Sequence, residues 1–183
     1  MKTKENLTAD ERGSTRISLT QRRQIVGIAR EWLGTPYHHR AAVKGAGADC
    51  AMFPLAVYKE CDLIPADYQP PEYAMQWHLH RSDELYIKEL EKFCRAATGP
   101  PHPGDFIVFR FGRTFSHGAI VLAWPLVIHS AIPHGVLLAD AERDGELMGR
   151  ERKTFEFLPL INTDDADRRT RISANQSDQC HQC

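Results

Sequence analysis

The chain has 183 residues, of which 42% are hydrophobic and 26% are charged, and this composition is typical of one soluble globular domain. Its formal net charge is −1, so its overall charge does not favour nucleic acid as a partner. No run approaches the roughly 20 apolar residues that a membrane-spanning helix needs, and the N-terminal segment lacks the apolar core of a signal peptide. We therefore expect a protein synthesised in the cytoplasm without a signal peptide, with its five cysteines as reduced thiols.

The polar character of both ends predicts a single folded unit between them. Residues 1–17 are interpreted as a flexible arm, residues 18–161 as the folded domain and residues 162–183 as a disordered polar tail. The tail contains Cys180 and Cys183 in a C-x-x-C spacing, but a zinc site needs four ligands and no second pair accompanies them. We therefore predict no metal site and no cofactor.

The first predicted helix begins behind Ser18, which forms a capping box with Gln21. Apolar residues follow at helical spacing, namely Ile25, Ile28, Ala29 and Trp32. The sequence LGTPY then ends the helix, because glycine stops it and the residue before proline is extended. This predicts a loop that displays Tyr37.

The stretch GAGADCAMFP, residues 45–54, places Cys50 where a second helix opens. We expect this helix to begin at Asp49 or Cys50 and to run to about Cys61, with Pro54 at the edge of its first turn. The unpaired N–H groups and partial positive charge of a helix N-terminus favour a reactive thiolate. A buried structural cysteine fits the same local sequence, so these residues alone leave both interpretations open.

The second half of the chain changes from helical to strand character. After a loop over residues 62–82, a helix capped at Ser82 is predicted to present Ile87, Leu90, Phe93 and Cys94 on one face. Short segments rich in β-branched and aromatic residues follow at 105–110, 117–124, 125–130, 135–140 and 153–160. Because helices come first and strands afterwards, the order predicts an α+β fold with N-terminal helices packed on an antiparallel sheet of about five to six strands.

Two histidines lie at matching ends of neighbouring predicted strands. His117 opens one strand and His129 lies near the end of the next, so a hairpin would bring both to the same rim of the sheet, within hydrogen-bond reach. A cysteine nucleophile needs a base, and the base needs a polar group that orients its ring. His134, beside a glycine turn, is an alternative for that third position. Three further histidines fit structural roles in loops: His78, His80 and His102.

Together these motifs resemble the NlpC-type cell-wall cysteine peptidases. AREWLGTPY and GAGADCAMF are similar to that family's helix, tyrosine loop and DCSGL-type nucleophile motif, while PGDFIVFRFG, SHGAIVL and VIHSA are similar to its central strands. The resemblance covers about residues 20–140 and implies a papain-like α+β fold. It also implies that Cys50 is the nucleophile, His117 the general base and His129 the residue that orients the base. By the same resemblance, Tyr37 lies beside the nucleophile and helps to hold the oxyanion.

The resemblance further implies the substrate, which is an amide bond in a peptidoglycan stem peptide, often a γ-D-glutamyl-diamino acid bond. The residues that we predict to contact this substrate are His38, His39, Asp49 and Ser116. The chain departs from the family pattern where Ala51 and Met52 replace a serine and a glycine. A second departure replaces a glycine pair by HHR at residues 38–40, which predicts a narrower and more cationic subsite for an acidic peptide.

A finer resemblance concerns delivery of the protein. The insert EYAMQWHLHRSDELYIKELEKF and the segment FSHGAIVLAWPLVIHS are similar to peptidases of phage and prophage tail modules and gene-transfer-agent clusters. This implies an enzyme carried in a phage-like tail to the cell wall, with peptidoglycan and tail proteins as partners. Two alternatives stay open. One is a catalytically silent tail-tip component for assembly or binding, and the other is an acyltransferase or amidase on another substrate, which a broad apolar groove near Cys50 would favour.

Overall fold

The computed structural model describes residues 16–75 and 83–159. The predicted arm up to residue 15, the cap at Ser82, the loop histidines His78 and His80, and the tail with Cys180 and Cys183 lie outside the described residues. The end of the predicted arm belongs to the fold, because the apolar side chain of Ile17 is buried in the core.

The first helix, α1 (Leu19–Glu31), confirms the predicted helix and its cap. The Ser18 hydroxyl accepts a hydrogen bond from the Gln21 backbone N–H, and the Gln21 side chain accepts one from the Ser18 N–H. These two bonds satisfy helix N–H groups that would otherwise have no partner. The helix buries Ile25 and Ala29 completely.

A small hairpin precedes the second helix and carries the chain towards Cys50. Strands β1 (Ala42–Val43) and β2 (Gly47–Ala48) pair antiparallel, and α2 (Met52–Glu60) follows after three residues, 49–51. Cys50 therefore lies just before the helix rather than within its first turn. Pro54 is the third residue of α2, where a missing backbone N–H interrupts little of the helix.

The third helix is shorter than predicted. Helix α3 spans Leu85–Leu90, and Cys94 opens strand β3 (Cys94–Ala96) instead of continuing the helical face. The expectation of a helix through Cys94 is therefore wrong. Backbone pairing with a distant strand overrides the local helical spacing, since Cys94 and Arg95 pair with Phe157 and Glu156.

Six antiparallel strands form the main sheet, in the order β3-β8-β4-β5-β6-β7. The five predicted strands are confirmed with small shifts at their ends: β4 (Phe106–Phe111), β5 (Thr114–Ala123), β6 (Leu126–Ala131), β7 (Gly135–Asp140) and β8 (Arg152–Phe157). The fold is α+β, as the order of helices and strands predicts.

Alternate side chains of the sheet enter two hydrophobic clusters. The larger cluster lies between the helices and the sheet and includes Phe53, Phe106 and Ile120. The smaller one includes Phe109 and Val121, and the segment after β7 contributes to it. Burial on both sides fixes the register of the central strands, because a slip by one residue would exchange the two sets.

Within residues 16–75 and 83–159, no helix combines the length and the apolar character that crossing a membrane requires.

Candidate active site

Cys50 and His117 line one cleft, which has a volume of about 270 Å³. The other two cysteines of the described chain behave differently, because Cys61 and Cys94 are buried in the core, whereas Cys50 is half-buried at the cleft. A structural cysteine packed into the core is therefore a good description of Cys61 and Cys94, but not of Cys50.

The loop that holds Cys50 is organised around the buried carboxylate of Asp49. Its Oδ1 atom accepts hydrogen bonds from the N–H groups of Ala51 (3.0 Å) and Met52 (2.8 Å) at the start of α2. Its Oδ2 atom accepts hydrogen bonds from the Arg40 N–H (2.7 Å) and the Tyr73 hydroxyl (2.8 Å). Four donors thus compensate a carboxylate that is only 1% exposed.

The same carboxylate changes the state of the Cys50 thiol. Burial in the cleft, and then the negative charge of Asp49, raise the pKa of Cys50 to about 12, against a smaller lowering by the backbone N–H groups of Gly118 and Cys50. The helix N-terminus is expected to favour a thiolate at Cys50, but burial and the Asp49 charge outweigh the lowering of its pKa by backbone N–H groups. The group at Cys50 is a thiol, and its S–H faces the Ser116 carbonyl oxygen at 3.8 Å.

The two predicted histidines meet at the rim of the sheet. Strand β6 pairs with β5 so that His129 lies opposite Ala119, which places His117 diagonally across from His129. Nε2 of His117 lies 2.7 Å from Nδ1 of His129, and the two rings are nearly perpendicular, at 80°. The expectation that this hairpin brings the two side chains within hydrogen-bond reach is confirmed.

His129 is neutral at physiological pH. The side chain is 2% exposed, and burial lowers the pKa of His129 to about 4, although the nearby Asp144 carboxylate opposes the shift. A neutral imidazole at this position has a lone pair that can accept a hydrogen bond from His117.

Tyr37 also lines the cleft. Its backbone bridges to Ala48, directly before the Asp49 loop. Burial, together with the charges at Cys50 and Asp49, raises the pKa of Tyr37 well above its usual range. The phenol therefore keeps its proton and presents a hydrogen-bond donor to the cleft.

The residues predicted to contact substrate do not all reach the cleft. His39, Asp49 and Ser116 line it, whereas His38 is not among its lining residues and packs against Gly47 of the β1–β2 hairpin. Arg40 is also outside it, because its guanidinium forms an ion pair with Glu72 at 3.2 Å. The described wall of the cleft contains no lysine or arginine, so the expected cationic subsite is reduced to His39.

Two tyrosines of the site, Tyr73 and Tyr86, are not indicated by the sequence. Tyr73 holds Asp49, and Tyr86 donates a hydrogen bond from its hydroxyl to the Cys50 carbonyl oxygen at 3.0 Å. Neither has a motif, because Tyr73 reaches Asp49 and Tyr86 reaches Cys50 from segments remote in the sequence. Pro54 does indicate that Cys50 needs a donor from elsewhere. A proline four residues after Cys50 removes the helical N–H that would bond to the Cys50 carbonyl oxygen.

No group of three or more His, Cys, Asp or Glu side chains within residues 16–75 and 83–159 is arranged to bind a metal ion. The groups available for chemistry in the described cleft are the Cys50 thiol, the two imidazoles and the Tyr37 hydroxyl, with the Asp49 carboxylate holding the loop beside them.

Comparison with known proteins identifies the fold of the chain. No protein-family model and no curated protein matches the sequence. Among solved structures, NlpC1 from Trichomonas vaginalis aligns over 76% of this chain and 44% of its own, with a TM-score of 0.55 at 15% identity. An NLP/P60 family protein from Staphylococcus aureus aligns over 81% of this chain and 44% of its own, with a TM-score of 0.52 at 17% identity.

A third solved structure, an NlpC/P60 family protein from Bacillus cereus, aligns over 75% of this chain and 40% of its own, with a TM-score of 0.52 at 19% identity. This chain spans less than half the length of each of these three proteins. At such identities the comparison shows the fold, which is the NlpC/p60 fold that the motifs imply.

Proposed function

We propose that this protein is a cysteine peptidase that hydrolyses amide bonds in peptidoglycan stem peptides. The observation that carries the proposal is the constellation at the cleft, where Cys50 and His117 line one cavity and His129 lies 2.7 Å behind His117. Three groups in this order are the parts that covalent acyl transfer needs: a nucleophile, a base and a group that orients the base. The substrate class comes from the motif resemblance to the NlpC-type cell-wall peptidases.

The raised pKa of Cys50 makes His117 necessary as a general base. His117 takes the thiol proton on Nδ1 while its Nε2–H donates to Nδ1 of neutral His129. The Cys50 sulfur then bonds to the amide carbon, and the Tyr37 hydroxyl and the Cys50 N–H donate hydrogen bonds to the oxyanion. His117 gives the proton to the leaving amine as the C–N bond breaks. Water, deprotonated by His117, hydrolyses the thioester and restores the thiol.

The finer parts of the proposal are the bond and the route of delivery. We propose a γ-D-glutamyl-diamino acid bond as the site of cleavage, and a phage-like tail as the carrier of the protein. Both are supported by the sequence resemblance, including the insert between the two halves of the domain.

The test is mass spectrometry of diamino acid-type muropeptides after incubation with the purified protein, with Cys50→Ala as the matched control. We expect stem fragments with the wild-type protein only, and their masses identify the bond. If several stem types across a range of pH stay intact with both proteins, the peptidase proposal is wrong and a silent assembly component becomes the better interpretation.

An amidase or acyltransferase that acts on a substrate with an apolar group is the second candidate, because the walls of the cleft favour it. The cleft is lined largely by apolar and aromatic side chains, among them Met52, Leu55, Pro70, Met75, Phe111 and Ile132. Met75 and Ile132 are also exposed, and exposed apolar side chains beside a cleft are typical of a binding surface.

A series of p-nitrophenyl esters from acetyl to octanoyl distinguishes the two candidates. A rate of Cys50-dependent hydrolysis that rises steadily with acyl length would support the second candidate. Equal rates along the series, together with muropeptide cleavage, would support the peptidase.

A further inference from the structure

The carbonyl group of Cys50 lies at a gap in the hydrogen bonding of α2. On either side of it the helical pattern is intact, because the Phe53 N–H donates to the Asp49 carbonyl oxygen (3.1 Å) and the Leu55 N–H donates to that of Ala51 (3.3 Å). The bond between them would come from residue 54, which is a proline without an N–H. The nucleophile's own peptide group therefore lacks the helical donor that both of its neighbours have.

Tyr86 of α3 supplies the missing donor. Its hydroxyl donates to the Cys50 carbonyl oxygen at 3.0 Å, and its ring stacks on Phe106 of β4 at 5.9 Å and an interplanar angle of 14°. Burial and the nearby Cys50 raise the pKa of Tyr86 well above its usual range, so the phenol keeps the proton that it donates. A residue distant in sequence thus completes the first turn of α2.

The contact between Tyr86 and Cys50 lies directly against the strand that carries His117. A Cβ atom on Gly118 would come within 2.4 Å of the Tyr86 hydroxyl oxygen and 3.0 Å of the Cys50 carbonyl oxygen. Glu84, just before α3, accepts a hydrogen bond from the Phe115 N–H of the same strand at 2.9 Å. The start of α3 is therefore bonded both to the residue that bears the thiol and to the strand that bears the imidazole.

We propose that Tyr86 is a positioning residue that holds the Cys50 peptide group against β5 and so sets the thiol at its working distance from His117. The inference rests on the proposed role of Cys50 as the nucleophile, and it assigns to α3 a function that no motif indicates. Tyr86 acts through the backbone of Cys50, and no contact with the reacting bond is required of it.

The first test measures alkylation of Cys50 by iodoacetamide across pH, with peptide mass spectrometry to separate it from the other cysteines. Tyr86→Phe keeps the ring that stacks on Phe106 and removes only the donor. We expect alkylation of Cys50 to be about tenfold slower at neutral pH, the size of effect that one lost hydrogen bond produces. The matched control is Ser18→Ala, which also removes one hydroxyl hydrogen bond, the one from the Gln21 N–H at the start of α1 and outside the cleft, and should leave the rate within twofold.

A second variant returns a donor to the gap. Pro54→Ala gives residue 54 an N–H directed at the Cys50 carbonyl oxygen, as in the neighbouring bonds of the helix. In the Tyr86→Phe background we therefore expect Pro54→Ala to recover most of the lost alkylation rate. A residue needed only for packing would show no such rescue, because Pro54→Ala does nothing to repack the ring.

Two outcomes would overturn the inference: a Tyr86→Phe protein alkylated at the wild-type rate, or a double variant no faster than Tyr86→Phe alone. Because alkylation needs no substrate, the test is independent of whether muropeptides are cleaved. If wild-type protein cleaves muropeptides, Tyr86→Phe should lower kcat about tenfold with little change in KM. Failure of wild-type cleavage would overturn the proposed function and leave the alkylation result standing.

Discussion

His117 and His129 lie on neighbouring strands of the main sheet, whereas Cys50 lies in a three-residue connection between β2 and α2. The two histidines are positioned by backbone pairing, since β5 is paired on both sides by β4 and β6. Cys50 is positioned by side chains that come from elsewhere, namely Asp49 with its donors and Tyr86. One half of the site is held by secondary structure and the other half by tertiary hydrogen bonds.

The two halves of the site therefore respond differently to substitution. Backbone pairing tolerates exchange of side chains, so the histidine pair can be changed chemically while its strands stay in place. The Cys50 loop depends on individual polar side chains, each of which is difficult to replace without loss of structure. The two halves are joined by Ser130 of β6, whose hydroxyl donates to the Ala48 carbonyl oxygen at 2.8 Å.

The largest effect is expected for the histidines, where loss of catalysis and loss of stability can be measured separately. His117→Ala should lower kcat for muropeptide cleavage by about a thousandfold or more, because the Cys50 thiol then has no base. The free energy of unfolding should fall by only about 1–3 kcal/mol, because the buried Nδ1 of His129 loses its partner while the strand is still held by its backbone. Kinetics and calorimetry on the same samples check both points, with the exposed His102→Ala as control. Retention of activity within tenfold would exclude His117 as the base.

The next largest effect is expected at Gly118, where the two halves of the site come into contact. Gly118→Ala should lower the free energy of unfolding by about 3 kcal/mol or more, since a Cβ would lie 2.3 Å from Cζ of Phe106. Gly27→Ala is the control within α1, where a Cβ meets nothing within 4 Å; it should stabilise the protein by about 0.5–1 kcal/mol. Urea titration measures both changes. Equal stability of the two variants would contradict the tight contact at Gly118.

A third prediction uses pH on the histidine side. Burial lowers the pKa of His129 to about 4, below the usual 6.5, so the unfolded chain binds a proton there in a pH range where the folded protein does not. The free energy of unfolding therefore decreases as the pH falls from about 6.5 towards 4, by roughly 3 kcal/mol in total. Above about pH 6.5 there is no such loss, because His129 is neutral in both states.

Urea titrations from pH 7.5 to 4 check this loss, with His129→Gln as the comparison. The difference in unfolding free energy between the wild-type protein and this variant should shrink towards acid pH. Parallel curves for the two proteins would show that His129 is not held neutral by burial.

The smallest effect is expected on the Cys50 side. Asp49→Asn removes the negative charge that raises the Cys50 pKa, so the pH profile of Cys50 alkylation should shift to lower pH. It should also lower the unfolding free energy by about 2 kcal/mol, because an amide cannot accept from all four donors. The pH dependence of the alkylation rate measures the change in the Cys50 pKa, and the urea midpoint measures the change in stability. An unchanged profile would mean that Asp49 acts on Cys50 only by holding the loop.

The two halves of the site also differ in how well the sequence predicts them. The histidine hairpin was predictable because strand alternation is local and a hairpin connects its ends in a fixed way. The environment of Cys50 was not, because the largest cause of its pKa shift is burial, which depends on segments far along the chain. The positions of residues 38–40 also depend on tertiary contacts, since His38 packs against Gly47 and the Arg40 guanidinium pairs with Glu72, while His39 lines the cleft.

From the amino-acid sequence one can predict the α+β class, the capped first helix, the five longer strands and the residues that meet at the rim of the sheet. These depend on spacing within single elements or one hairpin and on the order of the elements along the chain. The tertiary structure alone decided that Cys94 leaves its helix for a strand, that Asp49 takes the first N–H groups of α2, and that Tyr86 replaces the donor missing at Pro54. These depend on which distant groups become neighbours, and buried polar groups must find their partners among those neighbours.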